Sequence, residues 1–170
     1  MNILEMEPIA TVRRHHAIEH ATVTVLTERN PSLHIVGRSD TTGFYIYGEV
    51  DRDELNAAAQ RGLARLQSGE SALAIHPRCG TNLVVVGLLT ALAAVLAIGR
   101  KPRLDKIPNV ILATTLAAFV AQPLGATMQQ YVTTSPDARG ARIAGISESQ
   151  MGQIKVQHVD IAWDDRRSKA

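Results

Sequence analysis

Apolar residues are unevenly distributed along this chain. From Gly80 to Gly99, and again from Ile107 to Pro136, there is no Asp, Glu, Lys or Arg, and the charges are displaced into the flanks. Asn82 to Ile98, with Thr81 and Gly99, reaches the ~20 residues that a helix needs to cross ~30 Å of hydrocarbon. The second stretch, Pro108 to Tyr131, is interrupted by Pro123, which lipid-spanning helices tolerate as a kink. It ends in Gln129, Gln130 and Tyr131, expected to form an interfacial belt. A single stretch of this kind could equally be a buried soluble helix; two in close succession favour a transmembrane hairpin. The segment Arg100 to Lys106 between them is expected to be a tight basic connection, which puts both flanks on one side of the bilayer.

The amino-terminal flank has a different period. Pro8 suits the first turn of a helix, and Ile9, Val12, His16, Glu19, His20, Val23 and Leu26 then fall on one side of a 3.6-residue wheel. The β-branched run Val23-Thr24-Val25 weakens that helix near its end, and Asn30-Pro31 stops it. Ser32 to Gly37 and Gly43 to Val50 read as two strands around the turn Arg38 to Thr42. Asp51, followed by Glu54, opens a second helix through Leu63 and Leu66 to Gly69. Ala72 to His76 reads as a short strand or extended segment. After the hairpin, Ser135 to Gly140 is a linker, Gln153 to Trp163 is strand-like, and Asp164 to Ala170 a solvated tail.

The predicted fold class is therefore an α+β membrane protein: a small αββαβ-like domain, a two-helix hairpin and a short carboxy-terminal strand. The corresponding boundaries are 1–80 for the soluble domain, 81–134 for the hairpin, and 135–170 for the linker, strand and tail packing on the soluble domain. About 80 residues are barely enough for an independent core, so a metal ion or the membrane surface is expected to help stabilise the first part.

Composition narrows the function classes. A net charge of +2, with no one-sided basic run and only 4% aromatic residues, argues against a nucleic-acid partner. The single cysteine, Cys79, rules out an intrachain disulfide framework. The start, MNILEMEPIATVRRHH, is acidic before it is basic and lacks a continuous apolar core, so it does not read as a signal peptide. The expected location is the cell inner membrane, multi-pass. The basic hairpin loop argues for a cytoplasmic tip, whereas a signal-less domain made first argues for cytoplasmic soluble parts, the side favoured here.

The segment most suggestive of chemistry is His15-His16-Ala17-Ile18-Glu19-His20, which contains H-x-x-E-H, the inverted order of the zinc-peptidase helix motif. Residues four apart sit one above the other on a helix, so His16 and His20 can both offer a nitrogen to one ion, with Glu19 beside them. Imidazole is a common Zn²⁺ ligand and a nearby carboxylate can act as general base. The plain alternative is three polar residues hydrogen-bonded on a helix face. A second segment, His76-Pro77-Arg78-Cys79-Gly80-Thr81, gives another chelating pair, His76 and Cys79, on a turn just before the first apolar stretch. Taken alone, Cys79 would read as a small buried apolar residue and His76 as a strand-end residue; the two pairs together point to metal.

The joint pattern of H-x-x-E-H and H-P-R-C-G-T running into a membrane helix resembles the bacterial YqhQ-like family of membrane proteins, described as metal-dependent enzymes. It is also similar to a smaller uncharacterised bacterial membrane family with an HHAxEHA signature. The resemblance covers Arg13 to the first apolar stretch and implies that His16, Glu19, His20, His76 and Cys79 are the functional positions. The chain departs from the YqhQ-like pattern in lacking hydrophobic segments before the first motif and in having Asn82 after Thr81. His15, a quarter-turn off the face, is expected at the surface or as a partner of a ligand. His34 and His158 are expected to be structural, and nothing in the spacing of Glu148 or Asp160 marks them as ligands.

Two functional expectations follow. One is a zinc-dependent membrane hydrolase, most simply a peptidase at the bilayer surface, with Glu19 as catalytic base and ligands drawn from His16, His20, His76 and Cys79. The other is a non-enzymatic membrane subunit or assembly factor in which all four ligands close a structural Zn²⁺ site. A metal-free scaffold is a third. In any of these, Gly87, Ala91, Ala94, Ala113, Ala117, Ala118 and Ala121 would let the hairpin pack closely against itself, a second copy or another membrane protein.

Overall fold

The computed structural model describes residues 2–99 and 103–164. Residues 100–102 of the expected basic connection, and residues 165–170 of the expected tail, lie outside these. The chain forms two compact units, one from residues 1–76 together with 132–170, the other from 77–131.

The first unit is a mixed α+β layer pair. Helix α1 (Ile9–Arg29) leads to β1 (Val36–Ser39), β2 (Gly43–Tyr47) and α2 (Arg52–Gln67), and the chain returns after the helical unit as β3 (Ala141–Met151) and β4 (Ile154–Trp163). The sheet is antiparallel throughout with the order β1-β2-β4-β3. Its core joins Ile18, Val25 and Leu26 of α1 and Leu55, Leu63 and Leu66 of α2 to Phe44, Ile46, Val159 and Ile161 of the sheet. Each such side chain is worth about 1.5–3 kcal/mol when fully buried.

Helix α1 is not the one-sided helix that its periodicity predicts. His15 and every residue from Ala17 to Val23 are buried, as are Val25 and Leu26. A helix covered on several sides needs no polar face, and such packing overrides the weak propensity of Val23-Thr24-Val25. Helix α2 crosses it closely: a Cβ at Gly62 would lie 2.8 Å from the Ala21 carbonyl carbon. As expected, Asp51 caps α2, its carboxylate accepting from the amides of Asp53 and Glu54.

Three local expectations need correction. The first strand begins at Val36 rather than Ser32 and runs on through Ser39. The extension to Ser39 fits the turn that follows, which the Asp40 carboxylate tightens by accepting from the amides of Thr42 and Gly43. Ser71–Ala74 is a short 3₁₀ helix and only Ile75 is extended. The carboxy-terminal part contributes two strands, not one, and β4 occupies an interior position between β2 and β3. Strand β3 escapes the sequence pattern because only Ala141 and Ile146 along it are buried.

The second unit holds α3 (Gly80–Ile98) and α4 (Ile107–Met128), which pack against each other. Both are long and apolar enough to cross a membrane. Their large side chains point outwards: Leu83 is 75% exposed, Leu96 72% and Phe119 71%. Thr90, Thr114 and Thr127 return their hydroxyls to carbonyls one turn back, which leaves no side-chain donor unsatisfied at those positions. Gln129 is fully buried rather than interfacial and donates to Asn82 Oδ1 at 2.8 Å, while Gln130 and Tyr131 are exposed.

Candidate metal centre

The two motif imidazoles are oriented by the main chain. His16 Nδ1–H donates to the Thr133 carbonyl at 2.9 Å, and His20 Nδ1–H donates to the Ala74 carbonyl at 2.7 Å. A carbonyl can only accept, so Nδ1 carries a proton in both rings, and the tautomer this selects for neutral imidazole has its lone pair on Nε2. Such a hydrogen bond on the far nitrogen is what usually fixes a metal-binding histidine. The rings meet edge to face with centroids 4.3 Å apart, as an i, i+4 pair on a helix allows.

Cys79 lies at the start of the second unit. It is the N-cap of α3, its sulfur accepting from the Thr81 amide at 3.4 Å. One ligand atom each from His16, His20 and Cys79 lie within 4.8 Å of one another, so this His-His-Cys cluster can hold a metal ion. Tetrahedral Zn²⁺ with bonds of ~2.0–2.3 Å needs its ligand atoms roughly 3.5 Å apart. The mixed nitrogen and sulfur donors suit a borderline-soft cation. His76 stands close by, its ring centroid 5.8 Å from that of His20, but it does not belong to the three-residue cluster.

Glu19 faces β1. Its Oε2 accepts from the Ser39 hydroxyl at 2.5 Å, and its carboxylate fills the space beside Gly37 that a Cβ there would need. Burial pushes its pKa up, against the opposing pull of His16 and the Ser39 hydrogen bond.

The remaining histidines do other work. His15, expected at the surface, is fully buried. Its Nδ1–H donates to the Asp40 carbonyl at 2.8 Å and its Nε2 accepts from the Trp163 indole at 3.1 Å. Accepting from the indole requires a neutral ring, and burial accordingly pushes the pKa of His15 down. His34 lies outside the strands and binds the Ser32 carbonyl. His158 sits on β4 between Asp160 and Asp40, its ring against Tyr45, and Glu148 pairs with Lys155. None of them joins the His16, His20 and Cys79 cluster.

Sequence reasoning missed Arg13. Its buried guanidinium donates from Nε to the Val132 carbonyl, from Nη2 to the Thr134 carbonyl, and from Nη1 to the Leu4 carbonyl and Glu5. A cation among apolar neighbours, one turn before a ligand, was the available signal.

Residues 11–146 match the profile of a domain of unknown function, DUF6391. The chain belongs to that family. Membership of the DUF6391 family agrees with the expectation of a small uncharacterised family. The matched region contains both the histidine helix and the Pro-Arg-Cys turn, so the cluster falls inside the DUF6391 domain. An uncharacterised protein of Picosynechococcus sp. (strain ATCC 27264 / PCC 7002 / PR-6) is 41% identical over 135 residues, covering 73% of this chain. That match spans 66% of the relative's own length. No solved structure matches the chain.

Proposed function

We propose that the protein is a zinc-dependent hydrolase anchored in the cell inner membrane by the α3–α4 hairpin, most simply a peptidase acting at the bilayer surface. The observation that supports it most is the pair of imidazoles, each tied through Nδ1 to a main-chain carbonyl, in a His-His-Cys cluster with Cys79 that could hold a metal ion. Three protein ligands match the catalytic class of zinc sites, which leave a fourth position for substrate, better than the closed structural class. The resemblance of the joint motif to YqhQ-like proteins points the same way.

In this reading His16, His20 and Cys79 hold the ion, and Zn²⁺ supplies Lewis acidity when bound. Glu19 takes the proton of an attacking water. Burial pushes the pKa of Glu19 up, the direction that favours a carboxylate as proton acceptor. The exposed apolar surfaces of α3 and α4 face lipid, and a further membrane protein or second copy can pack on their small residues. Because the hairpin enters and leaves the same α+β unit, both flanks lie on one side, for which we propose the cytoplasm.

The decisive experiment uses the full chain purified in detergent. Wild type is expected to carry one zinc per chain and to cleave peptides from a mixed peptide library. Glu19→Gln should keep the zinc and lose cleavage. A Glu19→Gln protein that cleaves as well as wild type, or a wild type without stoichiometric metal, overturns the proposal.

One observation favours a second reading, a non-enzymatic subunit or assembly factor with a structural zinc. Glu19 is tied to Ser39 and packed on Gly37, and His76 is near enough to His20 to supply a fourth ligand. There, Cys79→Ser would lower the melting temperature, and no hydrolysis would be found in wild type.

A further inference from the structure

The geometry points to Arg13 as the positioning residue of the His16 ligand: through the carbonyls on either side of Thr133 it fixes the one carbonyl that sets the His16 tautomer. This inference rests on the metal-binding part of the reading above, though not on the hydrolase activity.

Arg13 and His16 are three residues apart on α1 and therefore neighbours on its surface. Both address the same short strap. Nε of Arg13 donates to the Val132 carbonyl at 2.7 Å and Nη2 to the Thr134 carbonyl at 3.1 Å, while His16 takes the Thr133 carbonyl between them. The strap answers in kind, since the Ser135 amide donates to the Arg13 carbonyl at 3.0 Å. Three successive carbonyls are thus claimed by two side chains.

These carbonyls need such donors. They stand at the end of a helical turn that runs from Gln129 to Thr133, where carbonyls depend on donors from outside the helix. A buried carbonyl without a partner is costly, and a guanidinium is the one side chain that can span two of them with a rigid fork. Nη1 is committed as well, to the Leu4 carbonyl at 2.9 Å and to Glu5 at 3.0 Å, which fixes the roll of the guanidinium plane. Thr134 is itself almost fully buried, so the strap has little room to shift. With Arg13 in place the Thr133 carbonyl meets Nδ1 of His16, so the neutral ring has Nε2 as its acceptor nitrogen. Without it the strap loses both flanking anchors and the ring is released to either tautomer.

Arg13→Gln in the full chain tests this, with Arg13→Lys as the conservative variant. Affinity is measured by competition with a chromophoric chelator, and the ligand field by the visible spectrum of the Co²⁺-loaded protein. Loss of a partner behind a ligand typically weakens metal binding about 10–100-fold. We expect a loss in that range for Arg13→Gln with a changed Co²⁺ spectrum. Arg13→Lys, which cannot span two carbonyls, should fall between it and wild type. Gly62→Ala, strained at the α1–α2 crossing, serves as a control that loses stability without losing metal affinity. An Arg13→Gln protein that only melts earlier, with wild-type affinity and spectrum, overturns the inference. Should Arg13→Gln fail to fold, ¹⁵N shifts of the histidines in wild type decide: His16 must be protonated on Nδ1 in the zinc-loaded protein, and protonation on Nε2 overturns it. A wild type that binds neither Zn²⁺ nor Co²⁺ instead removes the underlying metal site, a result distinct from either.

Discussion

The carboxylate of Glu19 lies where a side chain on Gly37 would have to be. Helix α1 and strand β1 therefore approach each other with one acidic group between them, and the absence of a Cβ at position 37 is a packing requirement. Gly37→Ala should destabilise the protein by about 1–3 kcal/mol, as overpacking commonly does. In the double variant with Glu19→Ala the two effects should be strongly non-additive, which denaturant titration of the four proteins of the cycle would show. Additive losses would mean that the two residues do not share this space.

The ligand set can be read by single substitutions. His16→Ala, His20→Ala and Cys79→Ser should each reduce zinc below one ion per chain after dialysis against a weak chelator. His76→Ala should retain it, because His76 is not part of the three-residue cluster. Elemental analysis of the four proteins distinguishes three ligands from four: loss of zinc in His76→Ala as complete as in His16→Ala would indicate a closed site.

Metal removal should also be visible in stability. An ion that binds only the folded chain adds RT ln(1 + [L]/Kd), about 2.7 kcal/mol at a hundredfold excess over Kd. Stripping with EDTA should lower the melting temperature, and adding Zn²⁺ back should restore it in wild type but not in Cys79→Ser. Equal melting of stripped and loaded protein would speak against binding at this cluster.

Acid should weaken the protein partly through Asp51. Hydrogen bonds from the Glu54 and Asp53 amides hold its carboxyl below the ordinary value, with burial opposing only weakly. A folded pKa below the unfolded one means a contribution that is present above about pH 4 and lost as pH falls through the folded value. Asp51→Asn cannot titrate, so the stability difference between wild type and this variant should be largest near neutrality and shrink below pH 4. A difference that is constant from pH 2 to 6 would contradict this.

The hairpin has its own polar lock. Gln129 donates to Asn82, whose Nδ2 donates to the Pro77 carbonyl, and Gly125 leaves the room that Asn82 occupies. Gln129→Leu should destabilise the α3–α4 pair by roughly 0.6–1.7 kcal/mol, the range for interhelical polar contacts in membranes. Gly125→Val should cost more, because Asn82 cannot give way without losing its partners. Steric-trap or denaturant unfolding in detergent would measure both.

Much of this architecture was legible in the chain. The uncharged stretches marked α3 and α4, since length and lack of charge suffice there, and Asp51 with Glu54 marked the start of α2. The pairing of His16 with His20 followed from helical spacing alone. What could not be read were features that depend on distant neighbours. Strand β3 shows no alternation because few of its side chains are covered, and His15 is polar yet buried because Trp163 and the Asp40 carbonyl satisfy it. The strap at Val132 to Thr134 offers only carbonyls, and these have no sequence signature. Arg13 was overlooked for the same reason: two of its partners, the Val132 and Thr134 carbonyls, are backbone atoms 119 and 121 positions away.

Strand β4 lies between β2 and β3, yet the ribosome makes it after both apolar helices. The amino-terminal α1, β1, β2 and α2 therefore wait, with one sheet edge unfilled, while the hairpin is synthesised. The carbonyl that orients His16 is also translated only then. Synthesis of the helices thus comes before completion of the sheet, and a nascent chain arrested before residue 132 would have its histidines but not the carbonyl that orients His16.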